Sequence, residues 1–240
     1  MQPDVSIILP FRNAQDYAAR VVRGVHDAFY DGNYSFEIVA VQNGSRDGTA
    51  EILADLRNRH REVRIVSIER HVGYGDGILQ GLSMASGKAL GWMRGDSGLA
   101  PEALPRLLRQ MNRTCSDMGY GCSVGSENTL NGLLEKFFGL RTEDVKGQPK
   151  LLTRRVYHSL RLRSQCRFIE TEVLLKARRM GAAICRIEID VAPEAFGLAH
   201  STELLLNLCR ARVQRHDPWG LNATPENILS PVALRRSAAR

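Results

Sequence analysis

Three segments of this chain share one pattern, an apolar strand-like run joined to a polar or glycine-rich turn. They are Glu37–Thr49 (EIVAVQNGSRDGT), Arg70–Leu82 (RHVGYGDGILQGL) and Leu90–Leu108 (LGWMRGDSGLAPEALPRLL). Strand, turn and helix repeated in this way predict an α/β protein. In such a protein the turns gather at the carboxyl edge of a parallel sheet, where nucleotides bind.

The rest of the first half fits that alternation. Val5–Leu9 is a β-branched run closed by Pro10, which suits a buried parallel strand. Tyr17, Val21, Val25 and Phe29 recur at fourfold spacing and predict an amphipathic helix over Asn13–Phe29. Strands are expected at Phe36–Val41, Val63–Ile68 and Ala89–Met93. Helices are expected from Asp47-Gly48-Thr49 to Arg59, over Gly77–Ser86 and over Pro101–Met111, where proline sits in the first turn. The second half is less regular. Thr129–Leu140, Glu170–Met180 and Thr202–Arg215 read as helices, Ala183–Val191 as a strand, and Lys150–Arg154 as a short strand or turn. We expect a nucleotide half over residues 1–125, an acceptor half over 126–222 and a C-terminal tail over 223–240.

With 33 Lys and Arg against 26 Asp and Glu, the chain carries a net charge of +7. That excess favours anionic partners without choosing among nucleotides, phosphates and lipid surfaces. Nucleic acid is not expected, because the basic residues lack interleaved aromatics and any recognised motif. The five cysteines are widely spaced and no pair has zinc-site spacing. They read as mostly buried thiols in a reducing, cytoplasmic setting. Met1–Asp4 runs straight into the first strand, and no apolar run approaches the ~20 residues of a membrane span. A lipid substrate would therefore be met from outside, by peripheral contact at the inner membrane surface.

The order and spacing of these motifs resemble family 2 glycosyltransferases of the GT-A fold, and in particular the dolichol- and polyprenyl-phosphate mannose or glucose synthases. The resemblance covers about residues 4–215. It implies a mostly parallel, doubly wound sheet flanked by helices, with a Rossmann-like nucleotide half and an acceptor half. It also implies an inverting transfer of sugar from a UDP- or GDP-linked donor, with a Mg or Mn ion as cofactor.

Residue by residue, Pro10, Phe11 and Asn13 match the family's Pro-aromatic-Asn-Glu motif bordering the base, and Ala14 replaces its glutamate. Gln42 and Asn43 replace two acids ahead of an intact Gly44-Ser45-Arg46-Asp47-Gly48-Thr49. Gln42 both accepts and donates, so base reading survives with altered preference; Asp47 and Thr49 read as helix caps. Gly73-Tyr74-Gly75-Asp76-Gly77 is not a dinucleotide fingerprint, because its third glycine comes one residue early. It matches the family loop whose glycines admit ribose and phosphate.

The Asp-x-Asp motif, which holds a cation bridging the donor diphosphate, reads Arg94-Gly95-Asp96 here. Asp96 is retained as metal ligand, donor contact and catalytic candidate. Arg94 replaces the first acid and is expected to supply part of the positive charge that a metal supplies elsewhere. Gly147–Leu151 is similar to the Gly-Gln-Pro-Lys-Leu segment of polyprenyl-phosphate enzymes. That implies an acceptor role for Gln148 and Lys150, with the basic Arg154 and Arg155. Glu170 and Glu172 fall at the family's acidic helix start, Glu170 as a catalytic candidate and Glu172 beside the acceptor, although the helix dipole alone would favour acids there. His200 falls in a loop that closes over donor phosphates. Gly125-Ser126-Glu127-Asn128 places an acid where relatives have an acceptor-gripping arginine.

Three functions stay open on this reading. The first is transfer to a polyprenyl phosphate, whose oxygen needs no general base. The second is transfer to a small-molecule or saccharide hydroxyl, with Asp96 or Glu170 as base. The third is a catalytically silent module that binds nucleotide or a protein.

Overall fold

A computed structural model describes residues 2–95, 101–122, 145 and 147–189. Its strands are β1 (Val5–Phe11), β2 (Phe36–Asn43), β3 (Val63–Ile68), β4 (Ala89–Trp92), β5 (Met118–Cys122), β6 (Lys150–Thr153) and β7 (Ile184–Glu188). Its helices are α1 (Ala18–Asp31), α2 (Thr49–Arg59), α3 (Tyr74–Met84), α4 (Ala103–Thr114), α5 (Arg154–Leu160) and α6 (Ile169–Arg179).

The seven strands form one sheet in the order β3-β2-β1-β4-β6-β5-β7. Only β6 runs antiparallel, against both β4 and β5. The expected mostly parallel, doubly wound sheet is present. The chain moves outward from β1 through β2 to β3 and then returns to place β4 on the other side of β1. That reversal opens a crevice at the carboxyl ends of β1 and β4.

Alternation along the buried strands feeds two cores, one on each face of the sheet. Ile7 and Leu9 of β1, with Ile38 and Ala40 of β2, meet Val22, Val25 and Phe29 of α1 and Leu104 and Leu107 of α4. Ile8, Val39 and Val41 point the other way, toward Ile78 and Leu82 of α3 and Val173 and Leu174 of α6. Burial on both faces explains why β1 and β2 read as continuous apolar runs rather than alternating ones.

Several boundaries differ from the sequence reading. Helix α1 begins at Ala18 rather than Asn13, because residues 13–15 are engaged by the loop after β2. Helix α3 begins at Tyr74 rather than Gly77. Strand β5 (MGYGC) is not legible in the sequence, since its glycines argue against strand. Their role is close approach: a Cβ at Gly119 would lie 2.8 Å from Leu107 of α4, and one at Gly121 would collide with the Gln148 carbonyl. Of the four described cysteines only Cys122 is buried, while Cys115 is exposed, contrary to the expectation of mostly buried thiols. Asp96, the Gly125–Asn128 turn, the expected helices at 129–140 and 202–215, His200 and the tail at 223–240 lie outside the described residues. Among the described residues no helix is long and apolar enough to cross a membrane.

The amino edge of the sheet is closed by Glu37. Its Oε1 accepts from Ser6 Oγ at 2.6 Å and from both the backbone N–H and the hydroxyl of Ser86, while Arg64 Nη1 donates to Oε2 at 3.2 Å. Burial opposes the charged form, yet these donors together hold the Glu37 carboxyl below its ordinary value. A group depressed by folding stabilises the fold fully above its unfolded value, and that contribution is lost as pH falls through the folded one. Glu37→Gln should therefore melt below the wild type at neutral pH, and the gap should close as the buffer becomes acidic. A gap independent of pH would show that the carboxylate charge contributes nothing.

Candidate functional site

Two loops at the carboxyl edge are clasped together before any ligand is considered. Asn13, in the left-handed region at φ 48°, accepts from the Arg46 N–H through Oδ1 at 2.9 Å and donates its own N–H to Ser45 Oγ at 3.1 Å. Asparagine tolerates that conformation better than most side chains. The Ala14 N–H donates to Thr49 Oγ1 at 2.7 Å, and the Thr49 hydroxyl donates to Asp47 Oδ1. Asp47 also accepts the N–H groups of Gln15 and Thr49. Asp47 and Thr49 thus tie the start of α2 to residues 14–15, but the N-cap position itself is Gly48 and has no side-chain cap, so neither residue is the helix cap expected from the sequence.

The next loop is tied down in the same way. Asn43 Nδ2 donates to the Gly73 carbonyl at 2.8 Å, and its Oδ1 accepts the Val72 N–H at 3.2 Å. The Gly44 N–H donates to Ile68 O and to Gln42 Oε1, at 2.9 and 3.1 Å. Gly44 has φ 65°, and a side chain there would collide with the His71 backbone. In Gly73-Tyr74-Gly75 the close approach is made by the chain's own segment 164–166. A Cβ at Gly73 would lie 2.6 Å from Gln165 O, one at Gly75 would collide with Ser164 O, and the Gly75 N–H donates to Gln165 O at 2.8 Å. These glycines let residues 164–166 pack directly on the start of α3, which places Arg167 at the cleft.

Between the loops lies an open cleft of about 280 Å³. Pro10 and Phe11 border it from β1, Asn43 from β2, and Tyr74 from α3; Arg94 and Gly95 follow β4. Arg12, His71 and Arg167 complete a strongly cationic lining. The Arg167 guanidinium lies 5.6 Å from the centroid of the Tyr74 ring, within cation–π range.

Behind Tyr74 is a buried polar cluster. Glu170 Oε1 accepts from Tyr74 Oη at 2.8 Å, Trp92 Nε1 at 3.0 Å and Gln148 Nε2 at 2.7 Å. Glu170 Oε2 lies 2.6 Å from Lys150 Nζ. This second contact is a charge pair, and the ammonium also donates to the carbonyls of Val145 and Gly147. Lys150 is fully buried. Burial pushes the Tyr74 hydroxyl well above the ordinary phenol value, and the Glu170 charge and hydrogen bond push the same way; Arg94 and Arg167 pull less strongly in the other direction. Tyr74 is thus a fixed neutral donor linking the cleft to Glu170.

Residues 6–167 match the model of glycosyl transferase family 2. The chain belongs to that family. Among curated proteins it is similar to undecaprenyl-phosphate 4-deoxy-4-formamido-L-arabinose transferases. That of Pseudomonas aeruginosa PAO1 is 24% identical over 217 residues, covering 85% of this chain and 62% of the relative. That of Pseudomonas savastanoi pv. phaseolicola is 32% identical over 105 residues, covering 43% and 31% respectively. The chain thus spans less than two thirds of the length of these relatives. Among solved structures it is similar to glucosyl-3-phosphoglycerate synthase of Mycobacterium tuberculosis, at TM-score 0.71 and 19% identity, covering 86% of this chain and 79% of that one. That structure holds Mn2+, UDP and glucosyl-3-phosphoglycerate, and another of the same enzyme holds Mg2+ and UDP. At this identity the likeness establishes the GT-A fold.

The expected site residues divide by position. Pro10, Phe11, Tyr74 and Arg94 share the cleft, whereas Asn13 and Ser45 face each other in the loop clasp. Gln148, Lys150 and Glu170 form the cluster behind the cleft, where Lys150 has no exposed surface for an acceptor phosphate. Arg154 and Arg155 sit elsewhere. The antiparallel register pairs Lys150 with Trp92 but Thr153 with Ala89, which carries the residues after Thr153 to the amino edge. There Arg154 donates to the carbonyls of Gly87 and Ala85, at 2.7 and 2.8 Å, and Arg155 pairs with Asp117 at 2.7 Å. Glu172 is fully buried. It accepts the N–H groups of Arg163 and Ser164 and pairs with Lys176 at 2.6 Å, so it shapes the 163–164 backbone rather than the cleft. Arg12, His71, Arg167 and Trp92 were not singled out from the sequence. Only their positions beside the motifs could have drawn notice.

The described residues do not by themselves fit a divalent cation. No group of three metal-ligating side chains occurs among them, and arginine stands where the motif's first acid would be.

Proposed function

We propose that this chain transfers a sugar, with inversion at the anomeric carbon, from a nucleoside-diphosphate sugar to a polyprenyl-phosphate acceptor. The observation that carries the reading is the convergence of Arg94, Arg12 and Arg167 on one cleft at the crossover between β1 and β4. In family 2 such a cleft takes the nucleotide sugar, and the structural relatives named above bind UDP. Arginine forks suit diphosphate oxygens, and a cluster of them meets the charge that develops as the nucleoside diphosphate leaves. The acceptor oxygen attacks the anomeric carbon as the bond to the diphosphate breaks. The base rests beside Pro10, Phe11 and Asn43, with Gln42 supporting the Gly44 turn below it.

Of the two bases expected for a hydroxyl acceptor, Asp96 and Glu170, Glu170 is not arranged to suit the task. A general base needs a lone pair within reach of the proton it removes. Glu170 Oε1 already takes three donors and Oε2 faces Lys150, so Glu170 is a positioning residue for Tyr74 and Gln148. A lipid phosphate arrives already ionised and requires no such base. The sequence similarity to undecaprenyl-phosphate transferases points the same way.

The test is nucleotide release from UDP- and GDP-linked sugars with a short polyprenyl phosphate, the matching polyprenol, or no acceptor. The proposal expects release that depends on the phosphate form. Equal release with the alcohol would make the acceptor a hydroxyl. Binding of nucleotide with no release under any condition would indicate a silent donor-binding module.

A further inference from the structure

A second cavity, of about 330 Å³, opens at the amino edge of the sheet, between the end of α3 and helix α5. It is separated from the donor cleft by the length of the strands. One wall is cationic: Arg154, His158 and Arg161 lie at i, i+4 and i+7 and all line the cavity. Leu82 and Ser83 at the end of α3, with Tyr157 and Leu162, complete the lining. Among the described residues no acidic side chain lines it.

The arginine at its base is already oriented. Arg154 donates through Nε to Gly87 O and through Nη2 to Ala85 O, which fixes the plane of the guanidinium. Nη1 has no partner among the described residues. Arg161 follows α5 in the left-handed region, at φ 45°, and its carbonyl accepts from Lys176 Nζ at 3.0 Å. The backbone under Arg161 is therefore held while its side chain is exposed. A fixed guanidinium, a second exposed one and an imidazole, sharing one cavity with Leu82, Leu162 and Tyr157, suit a ligand with one anionic end and one apolar end.

We propose that this cavity is a second binding site, for a phosphate monoester carrying an apolar substituent. The phosphate sits between Arg154 and Arg161, and the substituent lies against Leu82, Leu162 and the Tyr157 ring. Both an anionic phospholipid headgroup and a free organic phosphate have this chemistry.

Calorimetric titration with hexyl phosphate, inorganic phosphate and hexanol tests it on the full chain. Hexyl phosphate should bind more tightly than inorganic phosphate, and hexanol should not bind. Arg161→Glu should weaken hexyl phosphate by at least about tenfold. Arg179→Glu, which makes the same charge change on an exposed part of α6, should not. Arg94→Ala should leave binding at this site unchanged. The proposal is overturned if the full chain fails to bind hexyl phosphate, if Arg179→Glu weakens it as much as Arg161→Glu, or if Arg94→Ala abolishes it. Sedimentation with phosphatidylcholine vesicles, with and without phosphatidic acid, distinguishes the sources. Vesicle binding that needs phosphatidic acid and is lost in Arg161→Glu assigns the site to a membrane lipid. Hexyl phosphate binding without vesicle binding assigns it to a free phosphate.

Discussion

Arg94→Ala is expected to lower kcat/KM for the sugar donor by about a hundred- to a thousandfold, the usual effect of removing one group that meets developing charge. The reason is position. Arg94 follows β4 at the crossover and lines the cleft with Tyr74 and Arg167, and the sequence resemblance puts it at the first acid of the Asp-x-Asp motif. Arg94→Lys should recover only part of the loss, because an ammonium is a point charge without the planar fork that suits a diphosphate. If the arginines supply the positive charge, a chelator should change the wild-type rate little. Strong inhibition by chelator together with a tolerant Arg94→Ala would mean that Asp96 and a metal perform the task. The loss should appear in kcat as well as KM, since the charge on the leaving diphosphate grows toward the transition state.

Lys150→Met should destabilise the fold by about 3–5 kcal/mol, the cost of leaving a buried carboxylate without its counter-charge. Glu170 would keep its three neutral donors from Tyr74, Trp92 and Gln148 but would lose the only cation within its ion-pair distance among the described residues. The carbonyls of Val145 and Gly147 would lose their ammonium donor as well. The double variant Lys150→Met with Glu170→Gln removes both charges and should recover much of the loss. Urea denaturation of the two variants checks this. A loss below about 1 kcal/mol, the size of an exposed pair, would show that the Glu170–Lys150 contact does not bear on stability.

The centre of the sheet was legible because its strands are buried on both faces and read as apolar runs closed by turn residues. Val5–Phe11 and Phe36–Asn43 are the clearest cases. Strand β5 was hidden by Gly119 and Gly121, whose value lies in what approaches them rather than in strand propensity. The loops at the carboxyl edge were legible through motifs that build them, as the clasp around Asn13, Ser45 and Thr49 shows. The placement of residues 150–155 was harder. Lys150, Arg154 and Arg155 are close in sequence, and a basic run suggests one phosphate grip. A single antiparallel strand carries them from the carboxyl edge to the amino edge, and no sequence period records that direction. Glu172 illustrates the same limit: an acid at a helix start looks the same whether it faces a ligand or the backbone of its own preceding loop.

The most direct measurement is calorimetric titration of UDP, GDP and their sugar conjugates into the wild type and Arg94→Ala, each with manganese and with chelator. Base-selective binding to the wild type is expected to persist in chelator and to be weakened at least tenfold by Arg94→Ala, about 1.4 kcal/mol. Binding that appears only with manganese and is unchanged in Arg94→Ala would contradict that expectation.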